Sequence, residues 1–483
     1  MPHPLTRAAC ARTHARPITS PVREPEWDLL IIGGGAAGLA AARSGAARNA
    51  RTLLVSAGPL GGDCTFTGCV PSKALISAAA RGDDFSSARQ AIDRSIALIA
   101  ATEDDAVMAR EGVVVRHAHA RLVGRGVVDL DGVRTSARRI VLATGSRPVI
   151  PPISGLERID VLTNENVFAI GRLPATLAVI GGGAIGCELS QAFARLGSHV
   201  TIVEALDRVL AREEPEASHV INDALASDGV DLRLGVQVRA VERRAPSSVR
   251  LELADGAHID VEHVLVATGR APMTGDLGLV SAGVEVDERG HVRIDDRLAT
   301  TAAGIFAAGD VTGVLPFTHV ADEMGRIAAD NALSRRRHRR LGIDAIPWVT
   351  FTDPEVARVG LSEEQAAQRR GSRVAYLPMT EVDRAIVSGE TRGFVKLVGG
   401  RRRLVGDLGG GRLLGATVVA SRGGELIHEA ALAIKTGMFA GRLAQTVHAY
   451  PTWSVAMRVA AAQLVMEVGG RRARPAQATE MAA

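Results

Sequence analysis

Two stretches of this chain follow one plan, and that duplication constrains the fold more than any other feature. Residues 27–56, WDLLIIGGGAAGLAAARSGAARNARTLLVS, read as a buried strand, a glycine turn, an alanine-rich helix and a second strand. Residues 175–204, ATLAVIGGGAIGCELSQAFARLGSHVTIVE, repeat the plan. Each holds G-x-G-x-x-G, as Gly33, Gly35 and Gly38 and as Gly181, Gly183 and Gly186. The glycines permit a tight turn, close approach of backbone to a pyrophosphate, and close packing of helix on strand. The helix N-terminus then faces the anion with unpaired N–H groups. One copy alone is a weak signal, but here the strand, turn, helix and second strand all occur twice.

A carboxylate at the end of the second strand accepts hydrogen bonds from an adenosine ribose. In the second copy this is Glu204, 23 residues after Gly181, and its charge favours NADH over NADPH. The same offset from Gly33 lands on Ser56, a weaker ribose contact. Each copy later carries a strand ending in a small-residue turn, RRIVLATGSRP (138–148) and EHVLVATGRAP (262–272). Thr144, Gly145, Thr268 and Gly269 there let the chain pass close to a cofactor. A third strand, GIFAAGDV (304–311), ends in Gly309-Asp310, and Asp310 could bond to a polyol.

The stretch GGDCTFTGCVPSK (61–73) holds Cys64 and Cys69, with only Cys10 and Cys187 elsewhere. A structural zinc site needs about four ligands, and no second cysteine pair exists to supply them. On a regular helix the i, i+5 spacing separates the Cα atoms by at least about 7.5 Å. That exceeds the roughly 7 Å a disulfide bridges without backbone movement. A bond here needs a distorted helix start, which Gly68 and Pro71 favour, and it is more reducible than a staple. Lys73, one of only three lysines among 57 basic residues, lies one helical turn after Cys69 and would lower its thiol pKa. The pair reads as a redox disulfide.

At 483 residues the chain is long enough for roughly three domains. Four cysteines in such a length suit a reducing cytoplasm. No apolar run reaches the roughly 18 residues of a membrane span. Net charge is only +4 and the basic runs at 334–340 and 401–403 are short, which argues against nucleic acid as a partner. The first 25 residues have no apolar h-region and read as a disordered tail, with an organellar presequence as the alternative.

From about residue 27 to 468 the chain resembles the pyridine nucleotide-disulfide oxidoreductases, the family of lipoamide dehydrogenase, glutathione reductase and mercuric reductase. The resemblance rests on GGDCTFTGCVPSK, the two glycine motifs and the C-terminal stretches PWVTFTDPEVARVGLSEEQA (347–366), GFVKLV (393–398) and LLGATVVASRGGELIHEAALAI (413–434). VDRAIVSGETRGFVKLV (382–398) leans toward the mercuric-reductase-like branch. The resemblance implies an α/β protein with two Rossmann-like dinucleotide-binding domains and a C-terminal α+β dimerisation domain. FAD would occupy 26–150 and 274–345, NAD(P) would occupy 151–273, and 346–470 would dimerise, with tails at 1–25 and 471–483. By this similarity the first glycine motif binds FAD and the second binds the nicotinamide nucleotide. Cys69 is the flavin-facing thiol, Cys64 meets substrate, and Lys73 pairs with Glu188. Asp310 would bind the ribityl chain, Ala120 would lie near the adenine, and Gly62 would line the cofactor. Family members are generally homodimers with shared active sites.

One part of the family pattern is missing. Disulfide-reducing relatives carry His-Pro-Thr and then Ser-Glu, a histidine base oriented by a carboxylate. Here HAYPTWSVAM (448–457) places Tyr450 at the histidine and Val455 at the glutamate. His448, two residues upstream, shows no obvious acidic partner in the sequence. A tyrosine at this place also occurs in mercuric-reductase-like relatives, whose C-terminal cysteine pair has no counterpart after Cys187. The expectation is an NADH-dependent flavoenzyme passing electrons through Cys64 and Cys69 to a small-molecule acceptor: a disulfide, a metal ion or a quinone. Two alternatives stand beside it. One is a dihydrolipoyl dehydrogenase with an altered proton relay, and the other a flavin-binding subunit with reduced catalysis.

Overall fold

The computed structural model describes residues 25–334, 336, 338–402, 404 and 406–478; Cys10 and both chain ends read as tails from sequence lie wholly or partly outside them. The first glycine stretch forms β1 (Trp27–Ile32), α1 (Ala36–Ala46) and β2 (Thr52–Ser56). The redox stretch follows as α2 (Gly62–Phe66) and α3 (Cys69–Ala80), then α4 (Phe85–Ala100). With β3 (Val113–His117) and the long β4 (Val133–Leu142) these strands build a parallel sheet in the order β3-β2-β1-β4. The amino-terminal half of β4 leaves that sheet to pair antiparallel with Val127–Leu130. Leu29, Leu30 and Ile31 are fully buried, as expected of a parallel strand covered on both faces.

The second glycine stretch forms β5 (Thr176–Ile180), α5 (Ala184–Arg195) and β6 (His199–Glu204). With β7 (Asp231–Leu234) and β8 (His263–Val266) it makes a second parallel sheet, order β7-β6-β5-β8. The chain then returns to the first sheet, where β9 (Ile305–Ala307) pairs with β4 and α6 (Thr318–Leu333) packs on α1. That packing is intimate: a Cβ at Gly325 would meet the carbonyl oxygen of Ala37 at 2.1 Å. The register aligns Ile32 with Leu142 and Leu142 with Ala307. The glycine turn, Thr144 and Gly309 therefore leave the sheet at one edge, the carboxyl ends where such folds bind ligands.

The strands after residue 346 form one antiparallel sheet: β10 (Pro347–Thr350), β11 (Glu355–Gly360), β12 (Arg373–Pro378), β13 (Phe394–Gly400), β14 (Arg412–Ala420) and β15 (Arg474–Pro475). Their order is β10-β11-β14-β13-β12-β15, with α7 (Gly423–Thr436) packed on β14 and β11. Lys396 of β13 is 1% exposed and bonds to Glu214 and Glu216 beside the second sheet and to Glu363 of its own domain. Removing one partner from such a buried cluster costs about 3–5 kcal/mol, so it fixes how the two units sit. Among the described residues no helix is long and apolar enough to cross a membrane.

Candidate active site

The redox stretch is a broken helix. α2 ends at Phe66 and α3 begins at Cys69, so the cysteines sit on two separate short axes. Gly68 permits the break: a Cβ there would meet the Asp63 carbonyl oxygen at 2.8 Å and the Cys64 Cα at 3.3 Å. Both cysteines are thiols in this structure. The Thr318 hydroxyl, at the start of α6, lies 3.3 Å from Cys64 Sγ and 3.4 Å from Cys69 Sγ. A hydrogen bond from Cys64 draws the Cys69 thiol down to about 6, helped by Thr318 and by the Lys73 charge, against burial and the Glu188 carboxylate. The same bond to Cys69, together with burial, pushes Cys64 up. One sulfur is thus prepared as a thiolate and the other holds the proton. A cleft of about 460 Å³ opens beside Cys69, lined by Lys73 and Ser77 of α3, by Arg81 just after it, and by Ser95 and Ile99 of α4.

Lys73 donates to Glu188 Oε2 at 2.8 Å, joining α3 to α5 across the two nucleotide-binding units. The other Glu188 oxygen accepts from the Phe351 N–H at 2.8 Å, and Lys73 Nζ stands 4.5 Å from the Phe351 ring centroid. Glu188 is 5% exposed, so its charge is met by an ammonium and a backbone donor. Cys187 beside it is fully buried, and burial pushes its thiol up. It is a core residue.

The two glycine turns fit dinucleotides. At Gly33 and Gly181 the backbone is left-handed, φ +115 and +111°, and a Cβ would strike the chain crossing from β4 or β8. Cβ atoms at Gly38 and Gly186 would meet the carbonyls of Gly33 and Gly181. At Gly35 and Gly183, by contrast, a Cβ would meet nothing within 4 Å. These two positions open onto space, each at the start of a helix with no side-chain cap. Free N–H groups facing open space are what a pyrophosphate needs. Gly62, φ +58°, packs against Gly35, bringing the redox stretch to the rim of the first turn. Glu204 accepts from the Gly182 N–H at 2.6 Å and the Leu206 N–H at 2.9 Å, which aims its carboxylate over the second turn. Ser56 is buried against Gly34 at the matching place. The segment entering Ala120 is held there by the Ala118 N–H donating to the Ser56 carbonyl at 3.0 Å.

Thr144 and Thr268 do something the sequence did not reveal. Each donates its hydroxyl across the junction between the units, Thr144 to the Met273 carbonyl at 2.7 Å and Thr268 to the Val149 carbonyl at 3.3 Å. The strands Ser146–Pro148 and Arg270–Pro272 pair between them. The threonines brace the crossings, while Gly145 and Gly269 keep open space. Asp310 accepts from the Ser146 hydroxyl at 2.6 Å, and Ser146 in turn accepts from Arg270 at 2.8 Å. Thr318, Phe351, Ser146 and Arg270 were all missed from sequence. Arg270 carried a local signal, as the residue directly after the second small-residue turn.

His448 requires a correction. Its Nε2 lies 3.0 Å from Glu429 Oε2 on α7, so it does have an acidic partner, and its Nδ1 lies 2.9 Å from the Thr446 carbonyl. The side chain is only 5% exposed. Sequence could not show this, because Glu429 stands 19 residues away on a separate helix. Tyr450 is 73% exposed and bonds to Asp383, which raises the phenol's pKa. The partners named for both residues lie in the antiparallel-sheet domain, and none belongs to the cysteine site.

The family models for pyridine nucleotide-disulphide oxidoreductase and its dimerisation domain match residues 27–325 and 346–461. A mercuric reductase of Streptomyces lividans is 36% identical over 468 residues, covering 92% of this chain and 97% of that one. A dihydrolipoyl dehydrogenase of Thermus scotoductus is 34% identical over 460 residues, covering 91% and 97%. Among solved structures, the Cu(II) complex of the HOCl-induced flavoprotein disulfide reductase RclA from Escherichia coli matches with TM-score 0.81 and 30% identity, covering 89% and 98%.

Proposed function

The chain belongs to the pyridine nucleotide-disulphide oxidoreductases, and we propose that within them it is an NADH-linked enzyme whose dithiol serves a thiophilic metal ion. As a family member it is a FAD-dependent oxidoreductase, driven by NAD(P)H, with a disulfide or metal acceptor and a dimerisation domain that points to a homodimer. Bound FAD supplies two-electron transfer between the nicotinamide and the cysteine pair. The chain's own groups do the rest. Gly35 and Gly183 admit the two pyrophosphates, Asp310 and Ser56 offer polar contacts to the first cofactor, and Glu204 offers a ribose contact to NADH. The hydrogen bond from Cys64, helped by Thr318 and the Lys73 charge, holds Cys69 as thiolate, while Cys64 carries the proton.

The observation that carries the choice of acceptor is that Tyr450 and Val455 stand where disulfide-reducing relatives keep a histidine base and its orienting glutamate. A disulfide substrate releases a thiolate that needs a proton from a positioned acid, worth about 10²–10⁴ in rate. A soft metal ion needs thiolates and no such proton. The similarity to a mercuric reductase and to a flavoprotein disulfide reductase solved as a Cu(II) complex supports this reading. Residues 188–483 hold no cysteine, so within this sequence Cys64 and Cys69 are the thiols that meet the ion. By the family resemblance, a second copy would bring its Tyr450 to the place of the base. A cytoplasmic location, where NADH is available, belongs to the same reading.

The test is anaerobic NADH oxidation with Hg(II) or Cu(II) against lipoamide, glutathione disulfide and a quinone. Metal-dependent turnover should exceed disulfide turnover by about a hundredfold, the value of the absent acid. Equal or faster turnover of lipoamide would instead establish the dihydrolipoyl dehydrogenase reading.

A further inference from the structure

Asp63 directly precedes Cys64, and its carboxylate collects three donors. Oδ1 accepts from the Thr67 hydroxyl and from Asn164 Nδ2, the latter at 3.1 Å. Oδ2 accepts from Arg270 Nη2 at 2.5 Å. Asn164 is 7% exposed and reaches both ends of the cysteine loop, since its Nδ2 also lies 3.3 Å from the Thr67 carbonyl. Its Oδ1 accepts from Arg270 Nη1 at 3.2 Å. Arg270 is itself held by Ser146, through the hydroxyl at 2.8 Å and the carbonyl at 2.9 Å. The loop from Cys64 to Cys69 is therefore closed on itself between Asp63 and Thr67, and that closure is tied to the start of the strand after β8.

We propose that Asp63, Arg270 and Asn164 form a positioning bracket that holds the two sulfurs at bonding separation and so sets the redox potential of the Cys64–Cys69 couple. The proposal rests on the redox reading of the pair and deepens it. The physical ground is entropy already spent. Two thiols on five-residue spacing form a bond readily only when the intervening backbone is ordered in advance. A charge-assisted pair between planar guanidinium and carboxylate orders it with direction as well as strength. The redox step is a two-electron exchange: the Cys64–Cys69 bond forms as the glutathione S–S bond breaks, and the two glutathione thiols take one proton from Cys64 and one from solvent, Cys69 being already ionised. Loosening the bracket stabilises the dithiol relative to the disulfide, because only the disulfide requires the ordered loop. The potential should then rise.

The test equilibrates the FAD-loaded protein in glutathione redox buffers, quenches by alkylation and reads the oxidised fraction by mass spectrometry. Asp63→Asn is near-isosteric and should lower the effective concentration of the dithiol about tenfold, which is about 30 mV toward a more oxidising couple. Arg270→Gln should act in the same direction, and the double variant should equal either single one. Thr67→Val, which removes one hydroxyl, should give a smaller shift the same way and serves if a charge variant fails to fold. Values within twofold of the unaltered protein for the variants that fold, or additive effects of Asp63→Asn and Arg270→Gln, would overturn the bracket. Failure of the unaltered protein to form the bond in any buffer would overturn the redox reading itself.

Discussion

Lys73 and Glu188 meet at 2.8 Å across the junction of two separately built sheets, with Cys69 one helical turn from the ammonium. This pair acts on both stability and thiol chemistry, and its two members act on the thiol with opposite sign. The Lys73 charge lowers the Cys69 pKa and the Glu188 charge raises it.

Lys73→Met should shift the Cys69 alkylation profile to higher pH, and Glu188→Gln should shift it to lower pH. Lys73→Met also strands a carboxylate that is 5% exposed. Lys73 itself is one-third exposed, so the loss is discounted for screening to about 1–3 kcal/mol, read as a lower Tm. Two profiles moving the same way would mean that neither charge reaches the thiol.

Thr318 gives the clearest pH dependence. In the flavin-free dithiol protein, Cys69 is a thiolate above about pH 6, and its reactivity should fall as pH drops through that value. The sign follows from a lowered pKa: the reactive form is lost on acidification and retained at neutrality. Thr318→Val removes a hydroxyl 3.4 Å from Cys69 Sγ and should move the half-point upward. Iodoacetamide labelling of the Cys69 peptide across pH measures it, and an unmoved half-point would remove Thr318 from the site.

These groups differ in how legible they were. The glycine turns, the cysteine pair and Lys73 were readable because each is a local pattern in which spacing alone carries the chemistry. A distorted helix start was expected at Gly68 and Pro71 for a bonded pair; the break falls at Gly68, with both cysteines as thiols, while Pro71 lies within the first turn of α3. Thr318 was not readable, because it lies 254 residues from Cys64 and arrives only when α6 returns to the first sheet. Arg270 is 207 residues from Asp63, and Glu429 sits on a helix whose facing toward His448 no period reveals. Thr144 and Thr268 were placed correctly at the sheet edge, but their hydroxyls turn to the opposite crossing, which depends on how two units dock.

Glu204 should decide the nucleotide. Its carboxylate is already aimed by two backbone N–H groups, so an adenosine 2′-phosphate would approach a fixed negative charge. NADH should be preferred, and Glu204→Ala should narrow the ratio of kcat/KM for NADH over NADPH about tenfold, or about 1.4 kcal/mol. An unchanged ratio would place the discrimination elsewhere.

The last expectation concerns the missing acid. Tyr450 is exposed and bonded to Asp383, and Val455 begins the helix Val455–Gln463. A histidine at 450 would need a carboxylate to fix its tautomer, and residue 455 is where relatives keep one. Tyr450→His and Val455→Glu together should therefore raise lipoamide and glutathione disulfide turnover, by about tenfold or more given what a positioned acid supplies. Either change alone should do little, because an unoriented imidazole and an unpartnered carboxylate each lack half of the function. His448→Asn provides the contrast. It breaks a nearly buried bond to Glu429, so it should lower Tm by an amount equivalent to about 1–3 kcal/mol. Metal turnover should be unaffected by it, since His448 spends both nitrogens within its own domain. If His448→Asn abolishes turnover of every acceptor while Tm stays put, then His448 is the working base and the acceptor has to be reassigned.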